Sequence, residues 1–194
     1  MTARLCYTDG EVFPLHVDRW TAPATPEERM LLRAVEPPVL DVGCGPGRHV
    51  KALAERGVIA LGIDVSAIAV GIARRTGAPV LERSIFENVP AMGRWGTTLL
   101  LDGSIGIGGD PVTLLLRLKE LIRAGGRVLV ELEADGPCMH RGAAWIEKDG
   151  VRSETFPWAR VSRSGIGDIA CSTGFDVHVP WMDGDRCFAQ LDAR

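Results

Sequence analysis

The sequence predicts an α/β fold: a seven-stranded, mostly parallel sheet with helices on both faces and a C-terminal antiparallel strand. Three observations lead there. Apolar runs of strand length alternate with helical stretches, the signature of a parallel sheet covered on both sides. The first run passes directly into a glycine-rich loop that opens a helix. The alternation breaks only in the last third, where strand-like runs flank tight turns.

The extreme N-terminus, to about Ala24, carries no assignable pattern. Pro26 to Val35 reads as a helix, stopped by Pro37-Pro38 before the first strand at Val39. Arg48 to Arg56 is the helix after the glycine loop, closed by Gly57. Val58 to Ile63 is the second strand and ends at Asp64; Ser66 then caps a helix to Arg75. Pro79 to Glu82 is a short third strand. Thr97 to Leu101, apolar almost throughout, is a fourth strand buried on both faces. Pro111 to Arg123 is a helix with proline in its first turn, and Val128 to Leu132 is the fifth strand. Trp145 to Phe156 alternates around Asp149-Gly150, a small hairpin insertion near residues 145–156. A helix around Ser164–Ser172 follows, and Phe175 to Trp181 with Arg186 to Leu191 form a closing antiparallel pair.

The chemistry concentrates in Asp41-Val42-Gly43-Cys44-Gly45-Pro46-Gly47. Glycines at alternate positions let a ligand approach backbone N–H groups at a helix N-terminus. An acid at the end of the next strand, ~20 residues on, is the usual partner of ribose hydroxyls. Asp64 stands there, so the loop predicts an adenosine-containing cofactor. Arg48 occupies the place of the third glycine of a dinucleotide fingerprint. Asp41, at the mouth of the loop, would repel a pyrophosphate and suit a cationic amino group. S-adenosylmethionine (SAM) has the amino group, the ribose and no phosphate.

The same string resembles the first motif of class I SAM-dependent methyltransferases, which have a Rossmann-like fold. Gly62-Ile63-Asp64 resembles their second-strand acidic motif, and Arg83-Ser84-Ile85-Phe86 the segment along the adenine. Leu99-Leu100-Leu101-Asp102-Gly103 resembles the end of their fourth strand, and Gly125 to Glu131 the turn and strand that follow. Gly106-Ile107-Gly108-Gly109-Asp110-Pro111 is similar to a small actinobacterial subgroup. The resemblance implies that Gly43, Gly45 and Gly47 approach the methionine portion while Asp41 orients its amino group. It also implies that Asp64, with Val65, takes the ribose, that Ser84, Ile85 and Phe86 flank the adenine, and that Asp102 and Gly103 line the floor. Many relatives carry Asp at the position of Ser84, which is shorter and neutral. Methyl transfer to oxygen, nitrogen or carbon of a small molecule, with S-adenosylhomocysteine (SAH) as product, is the expected activity.

Acceptor residues are expected beyond the carboxyl ends of the strands. His140 is the candidate general base, or a solvated loop histidine; His16 is a second candidate for the acceptor side. His49, on the helix after the loop, reads as a helix-surface residue, or as one that touches the cofactor edge. Trp20, Trp145 and Trp158 are candidate walls of an apolar pocket, or core residues; Arg152 and Arg160 are candidate anchors for an acidic acceptor, or surface charges.

The 194 residues suit a single domain. Its expected parts are an N-terminal cap and helix (1–35), a cofactor-binding core (36–133), an insertion on the acceptor side (134–160) and a closing helix and strand pair (161–194). A net charge of −3 with dispersed basic residues argues against a nucleic-acid footprint. No apolar run reaches membrane-spanning length, and five dispersed cysteines imply free thiols and no metal site in a reducing cytoplasm. The sequence leaves open a non-catalytic SAM-binding protein and an NAD(P)-dependent oxidoreductase, and leaves the oligomeric state undefined.

Overall fold

The computed structural model describes residues 3–194. In chain order the first elements are β1 (Ala3–Tyr7), β2 (Val12–Leu15), α1 (Val17–Thr21), α2 (Pro26–Leu31) and β3 (Val39–Val42). Next come α3 (Arg48–Ala54), β4 (Ala60–Asp64), α4 (Ala67–Arg75), β5 (Val80–Glu82) and β6 (Trp95–Leu100). A 3-10 turn (Ser104–Gly106) leads into α5 (Pro111–Leu121), β7 (Ile122–Leu132), β8 (Met139–Lys148), β9 (Val151–Arg152) and β10 (Phe156–Val161). The chain ends with α6 (Ile166–Thr173), β11 (Phe175–Val177), β12 (Trp181–Asp183) and β13 (Arg186–Ala193).

The larger sheet has eight strands, in the order β11-β13-β7-β6-β3-β4-β5, with β12 beside β13. Strands β5, β4, β3, β6 and β7 run parallel, and β13 is antiparallel to β7. The chain winds outward from β3 to β5, then returns to place β6 on the other side of β3. That reversal opens a crevice at the carboxyl ends of β3 and β6, the usual ligand position in such sheets.

Local signals explain the elements around that crevice. The Asp110 side chain accepts from Val112 N at 3.1 Å and so caps α5, with Pro111 in the first turn. Leu114, Leu115, Leu118 and Leu121 then form one buried stripe of that helix. They pack with Leu100, Val130 and Ile169 in the core cluster on one face of the sheet. Truncating any of these leucines to Ala would cost ~2–5 kcal/mol. Leu32, Leu53, Leu99, Leu129 and Phe188 form the cluster that joins α2 and α3 to the opposite face. Trp95–Leu100 is buried throughout, as expected of a strand covered on both sides.

A second sheet of five strands departs from expectation. Its order is β10-β8-β1-β2, all antiparallel, with β9 beside β8. The predicted insertion hairpin over 145–156 is therefore the end of a longer strand pair, joined by an N-terminal hairpin that the sequence left unassigned. Asp149 and Gly150 make the tight turn, at φ 52° and 79°, the positive values a two-residue hairpin loop requires. Only Glu147–Arg152 and Lys148–Val151 pair across it, because β10 takes over beside the rest of β8. All five cysteines are unpaired, and no helix among the described residues is long and apolar enough to cross a membrane.

Candidate cofactor and acceptor site

Beyond Val42 the chain turns through Gly43, Gly45 and Gly47 at φ 71°, 53° and 81°, the left-handed region that favours glycine. Their surroundings differ. A Cβ on Gly43 would lie 2.8 Å from Ser104 Oγ, and one on Gly47 would lie 3.0 Å from Ala78 Cβ. A Cβ on Gly45 would meet nothing within 4 Å, so this glycine borders open space at the mouth of the crevice. Asp64 ties the loop to β4: Oδ2 accepts from Gly45 N and Oδ1 from Ser66 N, each at 2.8 Å. Each carboxylate oxygen retains a lone pair for a ligand hydroxyl. Val65, beside it, is 71% exposed. Within the loop, burial pushes the Cys44 thiol upward, with Asp41 and Asp64 adding to the effect, so it packs as a small apolar group.

Beneath the loop lies a network of charges, buried at Glu28, Asp41, Arg48 and His49 and open to solvent at Asp102. Thr25 and Glu28 form a capping box at the start of α2, which fixes the Glu28 carboxylate in the interior at 2% exposure. Glu28 Oε1 accepts from Arg48 Nη2 and from Arg186 Nη1, both at 2.7 Å. Arg48 also grips Asp102, with Nη2–Oδ1 at 2.8 Å and Nη1–Oδ2 at 2.7 Å. Arg186 forks onto Glu131 at 2.8 and 2.7 Å, and Glu131 accepts from Asp102 N at 2.7 Å. Asp102, at φ 53°, is thus held from both its backbone and its side chain. Gly103 follows at φ 83°, bordering open space.

His49 is buried in this network, a correction to its surface reading; α2 lies over the start of α3 and covers it. Its Nε2 is 3.5 Å from Glu28 Oε1, and its Nδ1 is 3.8 Å from Asp41 Oδ2. Burial works against an imidazolium, yet the Asp41 and Glu28 carboxylates outweigh it and push His49 up to about 9. Burial likewise opposes charge on Glu28, but the nearby His49 imidazolium and the hydrogen bonds from Arg48 hold its carboxyl well below the usual range. Asp41 is itself buried, and its Oδ2 has no hydrogen-bond partner.

On the adenine side, Ser84 Oγ accepts from Phe86 N at 3.3 Å and leaves its own hydrogen free. Ile85 is 3% exposed and belongs to the core cluster. Phe86 is 45% exposed, with its ring against Gly108, where a Cβ would lie 2.8 Å away. The adjoining residues carry the second sheet. Gly106 packs on the Trp158 indole and the Ala159 carbonyl, and Ile107 bridges to Trp158.

A cavity of about 510 Å³ opens between the N-terminal hairpin and the segment after β7, lined by Asp9, Glu11, Phe13, Glu133, His140 and Arg160 among others. His140 thus lies in a cavity wall, paired across strands with Arg160. Trp158 shares that sheet face, with Phe156 at 5.7 Å. Trp145, at an odd position of the same strand as His140, points to the opposite face, where the Arg152 guanidinium lies 3.7 Å from its ring centroid. His16 is exposed and Trp20 half-buried at α1, and neither lines the cavity. Arg160 is neutralised by Glu133, which removes it as a free anchor for an acid. Sequence reasoning missed Glu28, Glu131 and Arg186, although Thr25-x-x-Glu28 is a legible capping signature. Among the described residues no group of His, Cys, Asp and Glu is placed to hold a metal ion.

Residues 39–90, which hold the glycine loop, Asp64 and Phe86, match the family model of a methyltransferase domain. A SAM-dependent methyltransferase from Bacteroides fragilis, in complex with SAH, shares the fold with a TM-score of 0.82 at 21% identity, over 100% of this chain and 89% of that one. The 1,6-didemethyltoxoflavin-N1-methyltransferase of Burkholderia thailandensis is similar with a TM-score of 0.66 at 17% identity, over 92% and 81%. The glycopeptide N-methyltransferase MtfA, complexed with SAM, is similar with a TM-score of 0.67 at 16% identity, over 89% and 95%. No curated protein sequence matches the chain. The chain thus shares the fold of these solved SAM-dependent methyltransferases, and the family match is confined to residues 39–90.

Proposed function

We propose that the chain transfers the methyl group of SAM to a small-molecule acceptor and releases SAH. The observation that carries this reading is the buried Asp41 carboxylate, whose Oδ2 makes no hydrogen bond, on the strand that enters the glycine loop, where Gly45 borders open space. Four carboxylates (Glu28, Asp41, Asp102 and Glu131) meet two guanidiniums and the His49 imidazolium, which leaves the cluster one positive charge short. The α-ammonium of SAM supplies that charge, whereas a pyrophosphate would add to the excess. The residues present fit the cofactor.

When bound, SAM presents an electrophilic methyl on a sulfonium. The chain's part is placement. Gly43, Gly45 and Gly47 form the cradle, with Gly45 leaving room for the methionine portion, and Asp41 orients the amino group. Asp64 holds the ribose hydroxyls, with Val65 alongside. Ser84 and the exposed ring of Phe86 border the adenine. Asp102 and Gly103 close the floor, Arg48 and Arg186 having fixed the carboxylate. Residues 36–133 then form most of the cofactor half, with the Glu28 helix beneath it, and the N-terminal hairpin with 134–160 forms the acceptor wall. His140 in the cavity is the residue placed to take a proton from the acceptor. The solved relatives act on 1,6-didemethyltoxoflavin and a glycopeptide, which supports a small or peptidic acceptor.

Calorimetric titration of the purified chain with SAM, SAH and NADH tests the cofactor. Binding of the first two without the third is expected; binding of NADH alone would overturn the proposal. For the base, His140→Ala should lower turnover at unchanged SAH affinity. Unchanged turnover would remove His140 from the mechanism.

A further inference from the structure

The cavity beside His140 has a marked charge preference. Asp9, Glu11, Glu133 and Asp135 line it, against one guanidinium, Arg160, and one imidazole, His140. Arg160 is already engaged: its Nε donates to Glu133 Oε1 at 2.8 Å, Nη2 lies 2.6 Å from Oε2, and its guanidinium sits 3.3 Å from the Phe13 ring centroid. His140 Nε2 is 3.4 Å from Asp9 Oδ2 without a formed hydrogen bond. Carboxylates therefore remain in excess at the Asp9–Glu11 side.

An independent observation points to a ligand there. Tyr7 is 1% exposed, and its hydroxyl has no hydrogen-bond partner. An unpaired buried hydroxyl costs ~1–3 kcal/mol, which a ligand group can recover. The ring stands edge-on to two cavity walls, 4.5 Å from His140 and 5.9 Å from Phe13. Burial pushes the phenol up to about 12, and the charges that act on it, Arg160, Glu133 and Asp9, all line the cavity. Tyr7 shares its sheet face with Phe156 and Trp158, which run from the cavity towards the loop beside Phe86.

We propose that this cavity recognises the methyl acceptor and that the acceptor carries a protonated amine on an aromatic or apolar body. The ammonium sits between the Asp9 and Glu11 carboxylates, with the Tyr7 hydroxyl oxygen accepting one of its hydrogens. The apolar body lies along Phe13, Phe156 and Trp158. An anionic acceptor would face four carboxylates, and a neutral one would gain nothing from them. The assignment of the ligand as acceptor rests on the methyltransferase reading; the charge preference of the cavity does not.

The test is titration of the SAH-loaded chain with three probes of one shape: phenethylamine, 2-phenylethanol and 3-phenylpropionate. Ligand-observed NMR and calorimetry give the affinities. The amine is expected to bind roughly tenfold tighter than either analogue, a difference of about 1.4 kcal/mol. The double substitution Asp9→Asn, Glu11→Gln should remove that preference, with SAH affinity and thermal unfolding unchanged. Tyr7→Phe should weaken the amine and leave the alcohol unaffected. Equal or tighter binding of the carboxylate, no binding of any probe, or a preference that survives the double substitution would each overturn the proposal. Failure of SAH to bind would instead sink the methyltransferase reading, and the same titrations on the ligand-free chain would still read the cavity.

Discussion

Asp64→Ala separates the two tasks of one carboxylate. In the ligand-free chain that carboxylate holds the glycine loop against β4, through Gly45 N and Ser66 N at 2.8 Å each. Both bonds lie at the half-exposed mouth of the crevice, so their removal should cost about 1 kcal/mol each at most in stability. On binding, the proposed ribose contacts add two hydrogen bonds to a charged acceptor. Losing them, and ordering a loosened loop, should cost about 2–3 kcal/mol, a fall in SAH affinity of roughly 30- to 150-fold. Asp64→Asn retains one acceptor oxygen and should fall between wild type and Ala. Calorimetry with SAH gives the affinity, and urea unfolding of the ligand-free variants gives the stability. An Asp64→Ala chain that binds SAH within about twofold of wild type would refute the ribose clamp.

Three further outcomes follow from the buried cluster and the loop. His49 has its folded pKa raised to about 9, so its contribution is complete below the unfolded value near 6.5 and is lost as pH rises through 9. That contribution is about 3 kcal/mol, and the stability gap between wild type and His49→Gln should close between about pH 6 and pH 10; a gap independent of pH would contradict the charged imidazole. Glu28→Gln leaves Arg48 and Arg186 sharing only Asp102 and Glu131, and should lower unfolding stability by ~3–5 kcal/mol; a loss below ~1 kcal/mol would show that Glu28 is dispensable. Gly47→Ala forces a Cβ to 3.0 Å from Ala78 and should cost ~2 kcal/mol of stability, whereas Gly45→Ala, with open space around it, should mainly weaken SAH; equal effects of the two on both readouts would contradict the assignment of the cradle.

What the sequence made legible was local. The run from Val39 to Arg75 holds strand, loop, helix, strand, cap and helix within a short stretch, and each signal decides its own element. Ser66 caps α4 and Asp110 caps α5 because their side chains act on N–H groups two or three residues away. The second sheet was not legible, for two reasons. In β1, Leu5, Cys6 and Tyr7 are all buried, so the strand lacks the alternation that marks a half-exposed edge. Its partner β8 pairs through Gly142, Ala143 and Ala144 with β10, and these small side chains give no periodic signal. The charge network was hidden differently. Glu28, Arg48, Glu131 and Arg186 each look like surface residues alone, and only the folded chain brings them within hydrogen-bonding distance. On the acceptor side the hidden variable was parity: Trp145 and Trp158 look alike in composition, but the register of β8 and β10 sends them to opposite faces.

Both sheets depend on the two ends of the chain meeting. Arg4 meets Glu147 across 143 residues, and Arg186 meets Glu28 across 158. The glycine loop and Asp64 are neighbours along the chain, but the floor of the proposed cofactor site is fixed by Arg186, so it too waits for the last strand. The acceptor wall needs the first strand and the last third together, and such distant pairings form slowly. Neither the place for the methyl donor nor the place for the molecule to be methylated is therefore complete until the last third of the chain has joined the first.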